Sequence, residues 1–196
     1  MKKGLSKEAI ISASIGIIER NGYDVFSIRA LAGELGVKAA SLYNYVSGIN
    51  EIKIAVLIKT AEDLGRALSE ATEGKTPENA FIDGAAAYRS YAINNPELYK
   101  VIMRVPLSNN AEAARLGWLS LQPLLNVIHS FGLSDIELLN YFRSFRSFLH
   151  GYIELCNNGF MTLGPMSRDE SFEFITQRYL EQLLRLKNTD KTQKGE

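Results

Sequence analysis

A chain of 196 residues with 46% hydrophobic and 22% charged side chains can bury a sizeable core, which excludes a disordered protein. Its 22 basic and 22 acidic residues leave no net charge; this excludes a surface coated with basic groups, but not a local basic patch of the kind nucleic acid requires. A single cysteine, Cys156, excludes an intrachain disulfide framework, and no run approaches the ~18 apolar residues of a membrane span, so a cytoplasmic protein without membrane contact is expected.

Helical periodicity dominates from end to end, with no internal repeat and almost no alternating strand pattern, so the fold class is all-α. The first helix is expected from Ser6 to Asn21. Ser6 is its N-cap, Glu8 sits in its first turn, Ile10, Ala13 and Ile17 share one face, and Gly22 stops it. Ser27 caps a second helix in which Ile28, Leu31, Ala32 and Leu35 follow helical spacing, with Phe26 and Leu31 at staple positions and Gly36 as the stop. Val37 and Leu42 anchor a short third helix, about Ala39 to Val46, leaving Lys38, Ala39, Ser41, Tyr43 and Asn44 more outward. Helix, glycine-bearing turn and short helix is helix-turn-helix spacing. Up to residue 50, Lys2, Lys3, Lys7, Arg20, Arg29 and Lys38 stand against Glu8, Glu19, Asp24 and Glu34, which leaves the stretch mildly positive.

After the break at Ser47, Gly48 and Asn50, a long amphipathic helix is expected from Glu51 to Ala71. Further helices follow over Glu78 to Asn94, Pro96 to Arg104, Glu112 to Phe131, Asp135 to Asn157 and Arg168 to Leu186, and the tail KNTDKTQKGE reads as frayed. Pro77, Pro96, Pro106 and Pro165 sit at breaks, whereas Pro123 starts or kinks a helix. The expected division is a three-helix domain over residues 1–50 and a larger helical domain over 51–196.

The stretch AIISASIGIIERNGYDVFSIRALAGELGVKAASLYNYVSGINEIKIAVL resembles the N-terminal signature of the TetR family of transcription regulators over nearly its whole length. The Gly22-Tyr23 break, Ser27, Leu31-Ala32, Leu35-Gly36-Val37 and Leu42-Tyr43, followed by a polar and an aromatic residue, carry the likeness. Two positions depart from it. Lys38 stands where a serine or threonine commonly caps the recognition helix, and Ile49 where a lysine lies near a phosphate. The remainder, with AAAYRSYAINNPELYKVIM and FLHGYIELCNNGFM, resembles a C-terminal subclass named after a Trp-His-Gly signature, of which His150-Gly151 is present after Leu149.

The resemblance implies a homodimeric regulator, a repressor in the commoner case, that grips a palindromic operator in double-stranded DNA and answers a small ligand through its C-terminal domain. Ser27, Arg29, Lys38, Ala39, Ser41, Tyr43, Asn44 and Tyr45 are its candidate DNA contacts. Asn44 has the chemistry for a bidentate pair with adenine, Lys38 for guanine or phosphate, and Ser27 for a phosphate at a helix N-terminus. The fourth helix is the expected lever between reading head and sensor. Leu138, Phe142, Leu149 and Tyr152, with Phe172, Ile175, Tyr179, Leu183 and Leu186, form two stripes that resemble the family's dimer helices, although a monomeric core would show the same spacing. Tyr88, Tyr91, Tyr99, Met103, Trp118 and Phe145 are candidates for the ligand pocket, with plain core packing as the alternative.

The competing classes are an enzyme and a DNA-binding organiser or partner-binding adaptor of the same fold without an inducer. No Gly-rich phosphate loop, HExxH or GxSxG motif occurs, and His129 and His150 form no ligand cluster, so neither catalysis nor a cofactor or metal is expected. The adaptor differs from the sensor in having a filled core where the sensor has a pocket. His150-Gly151 is expected to allow close helix packing.

Overall fold

The computed structural model describes residues 5–105 and 110–193, with side-chain surroundings through residue 187; Lys2, Lys3, Pro106 and the end of the polar tail lie outside the described residues. Among the described residues there are ten α-helices and no strand. They are α1 (Lys7–Asn21), α2 (Ile28–Leu35), α3 (Ala39–Leu42), α4 (Ile49–Thr72), α5 (Pro77–Asn94), α6 (Pro96–Arg104), α7 (Ala111–Leu119), α8 (Gln122–His129), α9 (Asp135–Asn157) and α10 (Arg168–Gln193).

Local chemistry sets most boundaries. Ser6 and Ser27 cap α1 and α2 by accepting hydrogen bonds from the Ala9 and Ala30 amides, at 3.2 Å each. Gly36 ends α2 in the left-handed conformation at φ 65°, which a side chain would strain. The region expected as one helix over Glu112 to Phe131 is broken into α7 and α8. Pro123 lies in the first turn of α8, and its ring has no N–H and would clash with the carbonyl one turn earlier, so the helix restarts there. α3 is shorter than expected, and Tyr43 to Tyr45 continue as a turn in which the Tyr45 amide donates to the Leu42 carbonyl at 2.9 Å. The last helix runs beyond Leu186 to Gln193.

The chain packs as two compact units, one of Met1–Asp63 with Asn95–Leu119, the other of Leu64–Asn94 with Ser120–Glu196. A cut near residue 50 does not follow this packing. α4 contributes to both units, and α6 returns to the first because Leu98, Val101 and Val105 join the buried cluster of Ile10, Ile17, Ile18, Phe26, Leu31 and Leu42. In the second unit α5 packs against α8, α9 and α10. Its core is aromatic: Phe145 lies 4.7 Å from Phe81 and 5.0 Å from Tyr179 between ring centroids.

Candidate nucleic-acid interface

The first unit ends its helix-turn-helix in a stretch where buried and exposed side chains alternate sharply. Leu42 is fully buried and Val46 nearly so, while Tyr43 is 55% and Tyr45 42% exposed and Asn44 is exposed between them. The two apolar side chains thus pin the backbone, and the three polar or aromatic groups between them face solvent. Lys38 and Ala39 at the start of α3 are exposed, as are Ser27 and Arg29 at the start of α2, whereas Ser41 is half-buried. Among the described residues the Asn44 amide has no protein hydrogen-bond partner and Lys38 no ion pair, so both are available to a ligand. Ser27 uses a lone pair on the Ala30 amide and keeps its hydroxyl proton to donate.

At the two positions that depart from the family pattern, local structure follows the residue present. Lys38 stands at the N-cap of α3 and makes no capping hydrogen bond. Ile49 packs, partly buried, against the core of the first unit. Both tyrosines of the turn are exposed, Tyr43 more than Tyr45, and neither belongs to the buried core of this unit.

A carboxylate braces the turn from behind. Glu51 accepts hydrogen bonds from the Lys7 ammonium at 2.6 Å, from the Ser47 amide at 2.7 Å and from the Ser47 hydroxyl at 2.8 Å. The Lys7 hydrogen bond first, then the two from Ser47, hold its carboxyl down to about 2, against an ordinary 4.5. A depressed carboxyl stabilises the fold above its unfolded value, and that contribution is lost as pH falls through the folded one. Unfolding titrations should therefore show wild type losing more stability than Glu51→Gln between pH 4.5 and about 2, with the difference largest at the neutral end of that window.

The six pocket candidates are divided between the two units. Tyr99, Met103 and Trp118 belong to the first unit, and Tyr88, Tyr91 and Phe145 to the second. Tyr88, Tyr99 and Phe145 are fully buried, Tyr91 and Met103 are half-buried, and Trp118 is 45% exposed. A separate cleft of about 530 Å³ in the second unit is lined by Ser69, Thr72, Lys75, Asn126, Ser130 and their neighbours, and by none of the six.

Burial divides the stripes expected at a dimer face. Phe142, Leu149, Tyr152, Phe172 and Leu183 fill the interior of the protomer, and Leu138, Ile175, Tyr179 and Leu186 are half-buried. The five enclosed side chains have no surface left to meet a second copy, whereas the four half-buried ones keep some. The outward apolar groups of the same two helices are Ile136, Leu139 and Leu155 on α9 and Phe174 on α10. His150 is half-buried, and burial first of all holds its imidazole below the ordinary range. A Cβ built on Gly151 would meet nothing within 4 Å, so no helix of the protomer packs closely there.

Sequence reasoning missed α6 as part of the reading head. Its amphipathic pattern was legible, but no local signal says which unit a buried face joins. Two polar contacts reinforce the apolar one: Glu97 accepts from the Tyr23 amide at 2.8 Å, and Arg104 pairs with Asp24 at 2.7 Å. Among the described residues no group of three or more His, Cys, Asp or Glu could hold a metal, and no helix is long and apolar enough to cross a membrane.

Residues 81–179 match the family model described as "Tetracyclin repressor-like, C-terminal domain". An HTH-type transcriptional regulator of Mycobacterium tuberculosis is 34% identical over 80% of this chain and 72% of its own length. Among solved structures, apo ActR from Streptomyces coelicolor superposes with a TM-score of 0.73 at 18% identity, covering 96% of this chain and 99% of that one. ActR in complex with (S)-DNPA gives 0.68 at 19% identity, covering 93% and 98%. The matched relatives are DNA-binding regulators rather than enzymes, and the chain belongs to the TetR family of transcriptional regulators.

Proposed function

We propose that this regulator is a repressor, bound as a homodimer to a palindromic operator and released from it by a small ligand. The observation that carries the reading is the turn Tyr43-Asn44-Tyr45, exposed between the buried Leu42 and Val46. Such a turn presents hydrogen-bonding and aromatic groups at a fixed height, as reading base edges requires. Ser27, Arg29, Lys38, Ala39 and Ser41 complete the proposed interface, with Ser27 directed to a phosphate and Lys38 to a phosphate or guanine. One head buries too little surface for useful affinity, so two half-sites about one helical turn apart, or a multiple of it, are needed.

The ligand-responsive part is supported by the second unit. Arg89 Nε and Thr176 Oγ1 are buried there without a hydrogen-bond partner, and the Arg89 guanidinium lies 4.9 Å from the Phe172 ring centroid. Buried polar atoms without partners are unfavourable, and a ligand that supplied acceptors would remove that penalty. ActR, of the same fold, binds a small molecule. The second reading, an adaptor without inducer, is favoured by the close ring contacts around Phe145.

The test is selection from a random duplex library at fixed salt, followed by a screen for small molecules that release the enriched site. An enriched palindrome released by a ligand supports the repressor, an enriched palindrome that no ligand releases favours the adaptor, and no enrichment at any salt rejects both the operator and the repressor.

A further inference from the structure

The polar contact between α6 and the turn after α1 does more than fill space. Gly22 leaves α1 at φ 96°, a conformation that side chains rarely adopt, and thereby points the next amide, that of Tyr23, at Glu97. A Cβ at Gly22 would meet Glu97 Oε2 at 3.4 Å, so the approach is close. The other carboxylate oxygen of Glu97 takes the Lys100 ammonium at 2.6 Å, and one turn further along α6 Arg104 holds Asp24 of the same short turn at 2.7 Å. The Lys53 ammonium lies 4.9 Å from the Tyr23 ring centroid on the remaining side. The segment Tyr23–Val25, which leads directly into Ser27 and α2, is therefore gripped at two points by one helix.

That helix is joined closely to the second unit. α5 ends at Asn94 and α6 begins at Pro96, so Asn95 alone separates them, and the boundary between the two packing units falls at that residue. Glu97 stands two positions beyond the joint. α4 also runs from one unit to the other and holds the head both by apolar side chains, Ile52, Val56 and Leu57, and by Glu51 on the Lys7 ammonium and the Ser47 amide, but neither of these grips the backbone of the segment between α1 and α2. Apolar contact is non-directional and tolerates a small slide, whereas a hydrogen bond from a backbone amide to a carboxylate fixes register. Burial works to raise the Glu97 carboxyl, yet the contacts from Lys100 and Tyr23 and the charges of Lys100 and Arg104 bring it below the ordinary value, so it is ionised at neutral pH.

We propose that Glu97 is a positioning residue of the reading head: by holding the Tyr23 amide on α6 it fixes where the recognition turn stands relative to the Asn95 joint, and so sets the half-site spacing that the dimer accepts. This rests on the DNA-binding reading above and adds the route by which a shift at the end of α5 reaches the DNA. α4, which holds the head by its apolar face and by Glu51, is then a second connection rather than the single lever.

The test uses the full chain as wild type, Glu97→Gln and Glu97→Ala, with two readouts. Amide exchange at Tyr23 reports the contact itself. Glu97→Ala should speed it roughly tenfold or more, because a hydrogen bond to a charged acceptor is removed, while Glu97→Gln, whose amide oxygen still accepts, stays closer to wild type. Selection from duplex libraries with variable half-site separation reports the function: wild type and Glu97→Gln should enrich one spacing, and Glu97→Ala several neighbouring ones. Unchanged Tyr23 exchange in Glu97→Ala overturns the proposal, as does an equal loss of affinity at every spacing with a lowered melting temperature, which is the signature of a merely structural contact. If wild type enriches no palindrome, the operator reading fails, and Tyr23 exchange alone then decides whether the latch exists.

Discussion

Asn44→Ala is expected to weaken operator binding by about 1–3 kcal/mol per half-site, and a two-fold dimer doubles the loss, giving roughly 30-fold or more in affinity. The argument is geometric before it is energetic. Asn44 is exposed, its amide has no protein partner among the described residues, and Leu42 and Val46 fix its backbone from below. A preorganised amide with a free donor and a free acceptor suits the N6 and N7 edge of adenine. Its loss removes discrimination at one base position in each half-site. The selected sequences should therefore relax at that position and not elsewhere.

Lys38→Ala serves as the contrast. Lys38 has no ion pair among the described residues and stands at the uncapped start of α3. If it meets a phosphate, its removal weakens binding to all sequences alike and lowers the slope of log affinity against log salt by about 1 per half-site, with no change in the selected palindrome. If it reads guanine, the slope changes little and a base preference disappears. Measuring affinity at several salt concentrations for both variants separates a positioning contact from a reading one.

The elements legible in the sequence are those whose ends are written locally. Ser6, Ser27 and Gly36 each act through hydrogen bonds or backbone freedom within four residues, so α1 and α2 could be placed almost to the residue. Pro123 gave the right local hint, but the apolar pattern on either side is continuous, and only its steric conflict with the preceding turn divides α7 from α8. Partners distant in sequence were not legible. Periodicity says that a face is buried and not against what, so the stripes on α9 and α10 read equally well as a dimer face or as a core, and Phe142, Leu149 and Leu183 are core. The same ambiguity hid α6. Leu98 and Val101 looked like sensor residues from their place in the chain, yet they pack with Ile10, Ile17 and Phe26.

Where a second copy would bind follows from what those buried stripes leave outside. On α9 the spacing places Ile136, Leu139, Arg143, Ser147 and His150 on one face, beside the open Gly151, which would let another helix approach closely. On α10, Phe174 is 56% exposed, lies over Arg178 and shares a shallow surface groove with Glu170, Glu173, Gln177 and Glu181. The homodimer proposed above is expected to meet through these outward faces. Phe174→Glu should then leave the protomer's unfolding within about 0.5 kcal/mol of wild type, because the side chain is largely solvated there. In a two-fold interface the same change sets a carboxylate among acidic neighbours in each protomer, with no solvent to screen it, and the dimer should dissociate. Sedimentation would show a 21.8 kDa species in place of one twice that mass, and operator affinity would fall with it. Leu183→Ala tests the converse. It opens a cavity inside the protomer and should cost about 2–5 kcal/mol of folding stability while the dimer mass persists. If Leu183→Ala yields folded monomers and Phe174→Glu remains dimeric, the outward faces are not the interface, and the assignment fails.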